Sequence, residues 1–240
     1  MSRNSFRTST GRSVTAVTAH EMRDVDRVAV EDVGLQLLQM MENAGRILAG
    51  HVRDARDDDD VIVVAGNGGN GGGGLTCARH LANRDIPIQV VLERPPEELS
   101  GAAAHQSHIL DEMNVSVTSG VESLADADER TTIVDALIGY GLSGDVRPPT
   151  DEYIDRMNDL SGPTVSLDVP SGIDATTGES LGGAVVPDRT VTLALPKTGL
   201  DALTGELYLA DISIPRTVYD RLDIEYEPPF GDDDWVRLEQ

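Results

Sequence analysis

Seven of the nine residues 66–74 are glycine, and they follow directly on the run VIVVA at 61–65. An unbroken β-branched run of that kind suits a strand covered on both faces. Apolar spacing resumes over residues 75–83 and predicts a helix. Strand, glycine run, helix is the arrangement that turns backbone N–H groups at a helix N-terminus toward a phosphate, with glycine permitting φ > 0 turns and close backbone approach. Gly66, Gly68 and Gly71 satisfy G-x-G-x-x-G, and Glu93 stands at a later strand end, where a ribose-binding acid sits in dinucleotide folds. No G-K-[ST] follows, which excludes a P-loop. A ligand-free flexible loop is disfavoured by the ordering entropy of so many glycines.

The rest of the chain alternates in the same way. Thr18 and Glu21 form a capping-box pattern ahead of a helix whose apolar face is Met22, Val25, Val28 and Ala29, stopped by Gly34. A second helix is predicted over 35–53. Strands are predicted at 61–65, 86–92, 115–117, 132–135, 164–168, 189–195 and 206–214. Helices are predicted at 75–83, 102–113 and 150–159. Strands alternating with helices predict an α/β domain with a mostly parallel sheet covered on both faces. One domain over 18–222 is expected, with a disordered Ser/Thr/Arg-rich arm at 1–17, a solvated acidic loop at 57–60 and a loosely held acidic tail at 223–240. No apolar run is long enough to span a bilayer and the arm lacks a secretory h-region, so a soluble cytoplasmic protein is expected.

Nineteen Lys and Arg stand against forty-two Asp and Glu, a formal net charge of −23. Such a balance argues against phosphate-backbone binding, so no nucleic-acid partner is expected. Eighteen of the nineteen cations are arginine, and Lys197 is the only lysine. The acidic excess and missing lysine read as adaptation to a salt-rich cytoplasm, a halophilic signature. One retained lysine directly after a strand points to a specific contact. The single cysteine, Cys77, excludes an intramolecular disulfide and any multi-Cys zinc site. Inside its helix it reads as packing rather than nucleophile, and His105 and His108 read as a surface pair.

Three further segments cluster at predicted C-terminal strand ends, where ligands bind in open α/β sheets. They are DALIGYGLSGD at 135–145, DVPSG at 168–172 and PKTG at 196–199. Asp135, Ser171 and a loop asparagine offer hard oxygen ligands, suited to an alkali or alkaline-earth cation and poor for zinc. The bland alternative is that each acid caps a helix or anchors its loop. Ser171 lies in no G-x-S-x-G elbow.

Taken in order, these segments resemble the NAD(P)H-hydrate epimerase family, the YjeF N-terminal fold. MMENAGR at 40–46 is similar to its LMENAGR helix, and residues 66–81 to its glycine loop and following A-R-H-L. VDAL at 134–137, VSLDVPSGID at 165–174, PKTGL at 196–200 and ADISIP at 210–215 resemble the later blocks. The resemblance implies a Rossmann-like three-layer α/β/α sandwich, usually a homodimer, that interconverts the R and S forms of hydrated NADH and NADPH. It implies nucleotide contacts from Gly69, Asn70, Gly71, Gly72 and Gly73, from Gly139, Tyr140, Gly141, Leu142, Ser143, Gly144 and Asp145, and from Asp168. It implies a monovalent cation, normally potassium, at Asn70, Asp135 and Ser171. A dehydratase dependent on ADP or ATP is the implied functional partner, and no such domain is recognised in this sequence. Where the family has N-N-G-G-D-G, this chain has GNGGGG at 69–74, so the loop aspartate is replaced by Gly73.

The chemistry expected is acid–base exchange at C6 of the hydrated nicotinamide, with water leaving one face and returning to the other. Asp168 is the candidate proton-handling group, Asp135 the group that holds the cation and loop, and Lys197 the partner of a phosphate or of Asp168. Asp135 and Asp168 are interchangeable at this level. The alternatives are a degenerate nucleotide- or protein-binding module and an NAD-linked dehydrogenase.

Overall fold

The computed structural model describes residues 5–56 and 60–239. In chain order the elements are β1 (Ser5–Thr8), β2 (Ser13–Thr15), α1 (Ala19–Arg27), α2 (Leu37–Ala55), β3 (Val61–Ala65), α3 (Gly69–Ala82), β4 (Ile88–Leu92), α4 (Gly101–Glu112) and β5 (Ser116–Ser119). They continue with β6 (Thr132–Ala136), α5 (Thr150–Asp159), β7 (Thr164–Leu167), β8 (Arg189–Leu193), β9 (Glu206–Ala210), α6 (Arg216–Arg221) and β10 (Trp235–Glu239). Thr18 and Glu21 make the expected reciprocal capping box. The helix widens into a π-helical turn over Val28–Val33 and stops at Gly34, whose φ of 83° suits glycine.

Among the described residues ten strands form one sheet in the order β2-β1-β10-β9-β8-β7-β6-β3-β4-β5. From β9 to β5 every pairing is parallel, and β10, β1 and β2 extend it antiparallel. The strand order reverses between β3 and β6. A doubly wound sheet opens a crevice at the strand C-termini there. Val61, Val63 and Ala65 pack under α2, α3 and α4 on one face, while Ile62 and Val64 meet Tyr153, Ile154 and Met157 of α5 on the other. The expected three-layer sandwich is what forms.

Three expectations are corrected. The arm at 1–17 is ordered from Ser5: Phe6 and Thr8 of β1 point inward in period two, and Val14 of β2 joins them. The tail at 223–240 is not loose, because β10 pairs with both β9 and β1, with Leu238 buried. β1 and β2 each carry one apolar residue among polar ones, and β10 follows a strongly acidic stretch, so composition concealed their strand pattern. The glycine run is mostly helix: residues 66–68 form a short bend, residues 69–74 are the first turns of α3, and none of the seven glycines has a positive φ. Of the acidic loop at 57–60, residues 57–59 lie outside the described residues, as do residues 1–4 of the arm.

The closing strand is held by an aromatic clasp. The His51 ring of α2 lies 4.6 Å from that of Tyr208 on β9 and 4.8 Å from Trp235 on β10. Burial, and then the charge of Arg189, push the imidazole pKa down to about 4, against the opposing pull of Asp54 and Glu206. In the unfolded chain a histidine titrates near 6.5. Between these values the unfolded chain binds the extra proton, so this contribution is full above about pH 6.5 and lost as pH falls toward 4. The loss amounts to about 3 kcal/mol. Urea unfolding at pH 7.5 and pH 5 should therefore show a smaller drop for His51→Phe than for the parent. Parallel drops would contradict the assignment.

Candidate functional site

A cavity of about 750 Å³ opens at the sheet's switch point. Its walls come from the start of α3 (Gly68, Gly69, Asn70, Gly73), the turn after β6 (Leu137, Ile138, Gly139, Tyr140, Gly141), the ends of β7 and β8, and the helices α1 and α2. That volume suits a drug-sized or dinucleotide-sized ligand.

Asp168 terminates β7 with a φ of 67°, and Ala194 terminates β8 in the same way with 63°. Left-handed backbone at a residue with a Cβ costs on the order of 1 kcal/mol, and here it turns the Asp168 carboxylate out of the sheet toward the cavity. Four donors fix that carboxylate. Lys197 Nζ is in contact with Oδ1, the Leu193 N–H donates to Oδ1 over 3.2 Å, the Thr192 hydroxyl over 3.4 Å, and the Tyr140 N–H donates to Oδ2 over 3.2 Å. Lys197 is itself 1% exposed, and its remaining donors go to the Leu193 carbonyl at 2.9 Å and the Thr192 hydroxyl at 3.4 Å. Its ammonium also lies 5.6 Å from the Tyr140 ring centroid. The only lysine of the chain is thus the buried counter-ion of Asp168.

Asp135 lies beneath the cavity, not on its wall. It is fully buried, and its carboxylate accepts from the Ser166 hydroxyl (2.8 Å), the Ser171 N–H (2.9 Å), the Ser171 hydroxyl (2.6 Å) and the Leu137 N–H (3.3 Å). Burial raises its pKa, opposed first by the Ser171 hydrogen bonds, and no cation is in contact with it among the described residues. Ser171 also accepts the Ile138 N–H at 2.9 Å, so Asp135 and Ser171 together peg the turn that carries Gly139 and Tyr140. Of the two carboxylates left interchangeable by the sequence, only Asp168 reaches the cavity.

The glycines divide as well. Gly69, Asn70 and Gly73 line the cavity, whereas Gly71 and Gly72 are not on its wall, a Cβ on Gly71 meeting the Gly66 backbone and one on Gly72 the Met41 side chain. A Cβ on Gly73 would sit 2.7 Å from Leu167 Cδ2, so the volume beside this position is filled by leucine. Gly139, Tyr140 and Gly141 line the cavity; Leu142, Ser143, Gly144 and Asp145 lie outside its wall. The Asn70 amide nitrogen is buried without a hydrogen-bond partner among the described residues. Glu93 is on the wall and accepts from the Thr150 hydroxyl.

Sequence reasoning missed Asp26. It stands on α1 one turn beyond buried Met22, lines the cavity, and accepts a hydrogen bond from the Tyr140 hydroxyl. A carboxylate four residues from Met22 on an otherwise apolar helix stripe was the available signal. Met40 and Met41, from the MMENAGR segment, are also on the wall, as are Arg23 and Arg94 from positions without any local motif.

Comparison with known proteins finds relatives along nearly the whole chain. The family model for the YjeF-related protein N-terminus matches residues 37–199. A protein of Dehalogenimonas lykanthroporepellens named NAD(P)H-hydrate epimerase is 41% identical over 239 residues, covering 97% of this chain and 96% of that one. The NAD(P)H-hydrate epimerase of Weissella koreensis is 37% identical, covering 83% and 91%. The bifunctional NAD(P)H-hydrate repair enzyme Nnr of Salinibacter ruber is 38% identical over 85% of this chain, which spans 42% of that longer protein. The crystal structure of yeast ynu0 superimposes with a TM-score of 0.82 at 26% identity, covering 93% of this chain and all of that one.

Proposed function

This chain belongs to the YjeF-related N-terminal family, and from that premise we propose that it is an NAD(P)H-hydrate epimerase, interconverting the R and S forms of hydrated NADH and NADPH. The observation that carries the reading is the Asp168–Lys197 pair at the wall of a dinucleotide-sized cavity, beside the N-terminus of α3. The N–H groups at that helix start favour an anionic diphosphate, which sets the nicotinamide end toward Asp168. In the hydrated ring the nitrogen lone pair expels the C6 hydroxyl once it is protonated, and a cation develops on the ring. An immobile carboxylate beside that cation stabilises it at no reorganisation cost and takes the proton of the water that returns. Lys197 orients the carboxylate; it does not touch the ring. Asp135, unable to reach the cavity, acts through the turn that it and Ser171 hold.

The residues present fit the potassium ion that the resemblance implies. A buried carboxylate without a counter-ion, the Ser171 hydroxyl and the Asn70 amide are a hard-oxygen set. To hold the ion, the Asn70 amide would present its oxygen and the Ser171 proton, here donated to Asp135, would turn away. Bound there, the ion would supply charge compensation for Asp135 and rigidity to the Gly139–Tyr140 turn. A homodimer belongs to the same reading, supported by the exposed apolar side chains Val30, Val33, Leu37 and Leu38 in one stretch. So does a dehydratase acting on the product, the functional partner that the resemblance implies. Among the described residues no helix is long and apolar enough to cross a membrane, consistent with a cytoplasmic site of action.

The test is the rate at which one resolved epimer of hydrated NADH returns to the R/S mixture. Asp168→Asn should slow it by about 100-fold or more while circular dichroism stays unchanged. Full activity in that variant would remove Asp168 from the mechanism.

A further inference from the structure

Epimerisation through a ring cation is two-sided. One face of C6 must deliver a proton to the departing oxygen, and the opposite face must relieve the incoming water of one. Asp168, pinned by four donors, serves only the face it points to.

The cavity wall carries a second carboxyl group. Asp26 of α1 is bonded to the Tyr140 hydroxyl, and the backbone N–H of that same tyrosine is bonded to Asp168. The two carboxyls therefore stand at opposite ends of one tyrosine, and both line the cavity. Enzymes that invert a sugar centre use two carboxyls on opposite faces, roughly 6.5–9.5 Å apart, with room for a water between them. The partners here differ in kind. Asp168 is ion-paired to Lys197, whereas Asp26 has a neutral hydroxyl as its hydrogen-bond partner. We propose that Asp26, with the Tyr140 hydroxyl it holds, is the second proton-handling group of the epimerisation, serving the ring face that Asp168 does not reach.

The inference rests on the epimerase reading. In one direction the Asp26 carboxyl gives its proton to the C6 oxygen as the C6–O bond breaks, and the ring nitrogen lone pair forms the C=N bond. Water adds to C6 from the other face, forming the new C6–O bond, and its proton passes to Asp168. The reverse direction takes the proton from Asp168 and leaves it on Asp26. One water departs and one enters, and no oxidant or reductant is needed.

The surroundings of Asp26 suit a group that starts protonated. Burial raises its pKa and Asp168 adds to the rise, while the Tyr140 hydrogen bond and the Lys197 charge oppose it. Tyr219 of α6 faces it as well, and Arg23 of its own helix acts on Tyr140.

The experiment measures kcat and KM against pH from each resolved epimer, for the parent, Asp26→Asn and Tyr140→Phe. Asp26→Asn should lower kcat by about 100-fold or more, leave KM within about threefold, and erase the alkaline limb of the profile. Tyr140→Phe keeps the ring over Lys197 but removes the hydroxyl that lowers the Asp26 pKa, so its alkaline limb should move to higher pH with a loss of about tenfold. The limb shift in Tyr140→Phe decides the matter if Asp26→Asn fails to fold. An Asp26→Asn enzyme within threefold of the parent with both limbs intact, or an unmoved limb in Tyr140→Phe, overturns the proposal and leaves the epimerase reading standing. A parent protein that does not accelerate epimerisation overturns both.

Discussion

Lys197→Met should lower stability by about 3–5 kcal/mol and abolish most of the activity, because it leaves a buried carboxylate without its counter-ion. For a chain of this size the cost corresponds to a fall in Tm of about 10 °C. The ammonium has three protons, and its contacts are the carboxylate, the Leu193 carbonyl and the Thr192 hydroxyl. A planar guanidinium cannot direct its donors to that triangle in the same volume. This explains why a chain that uses arginine at its other eighteen cationic positions keeps lysine here. The stability term and the catalytic term are separable. Asp168→Asn combined with Lys197→Met removes both charges and should recover much of the stability while remaining inactive. A single Lys197→Met variant as stable as the parent would show that the pair carries no structural load.

Gly71→Ala should be at least as damaging, with no chemistry involved. A Cβ there would lie 1.7 Å from the Gly66 carbonyl oxygen, closer than any adjustment of a side chain can relieve. Gly66 is held in place, because its N–H is bonded to the Ala136 carbonyl at 3.1 Å and even a Cβ on it would lie 2.3 Å from the Leu137 carbonyl oxygen. The expected loss is about 3 kcal/mol or more, read as a Tm drop of about 10 °C or as failure to accumulate folded protein. Gly68→Ala is the control, since nothing lies within 4 Å of its Cβ position. It should stay within about 0.5 kcal/mol of the parent. Equal effects at the two positions would contradict a packing role for the run.

That contrast marks where the sequence was legible. Strand, glycine run and helix were placed correctly in order, and β3 to β9 follow the expected alternation. The reason for the glycines was half right. They serve close approach of α3 to α2 and the sheet, with no φ > 0 turn among them. Pattern cannot separate the two uses, because both demand a missing Cβ. The end strands were hidden for another reason: β1 and β2 each present a single apolar side chain, and the pairing that ties them to the sheet, β1 with β10, joins residues far apart along the chain. Asp168 and Lys197 were legible as strand-end groups, whereas their contact was a matter of how β7 and β8 both end in left-handed turns. Asp135 carried an equal signal and proved to be sealed below the cavity. Asp26 was hidden because a carboxylate on a helix reads as solvated surface until the opposing tyrosine is in view.

The most direct test of the account follows a single resolved epimer of hydrated NADH in high KCl by chromatography, with and without the purified parent protein, in water enriched in oxygen-18. Rapid return to the R/S mixture, one solvent oxygen entering C6 per inversion, and near loss of the acceleration in Asp168→Asn are the expected results. A folded parent protein that leaves the rate at that of the protein-free control would contradict the epimerase reading.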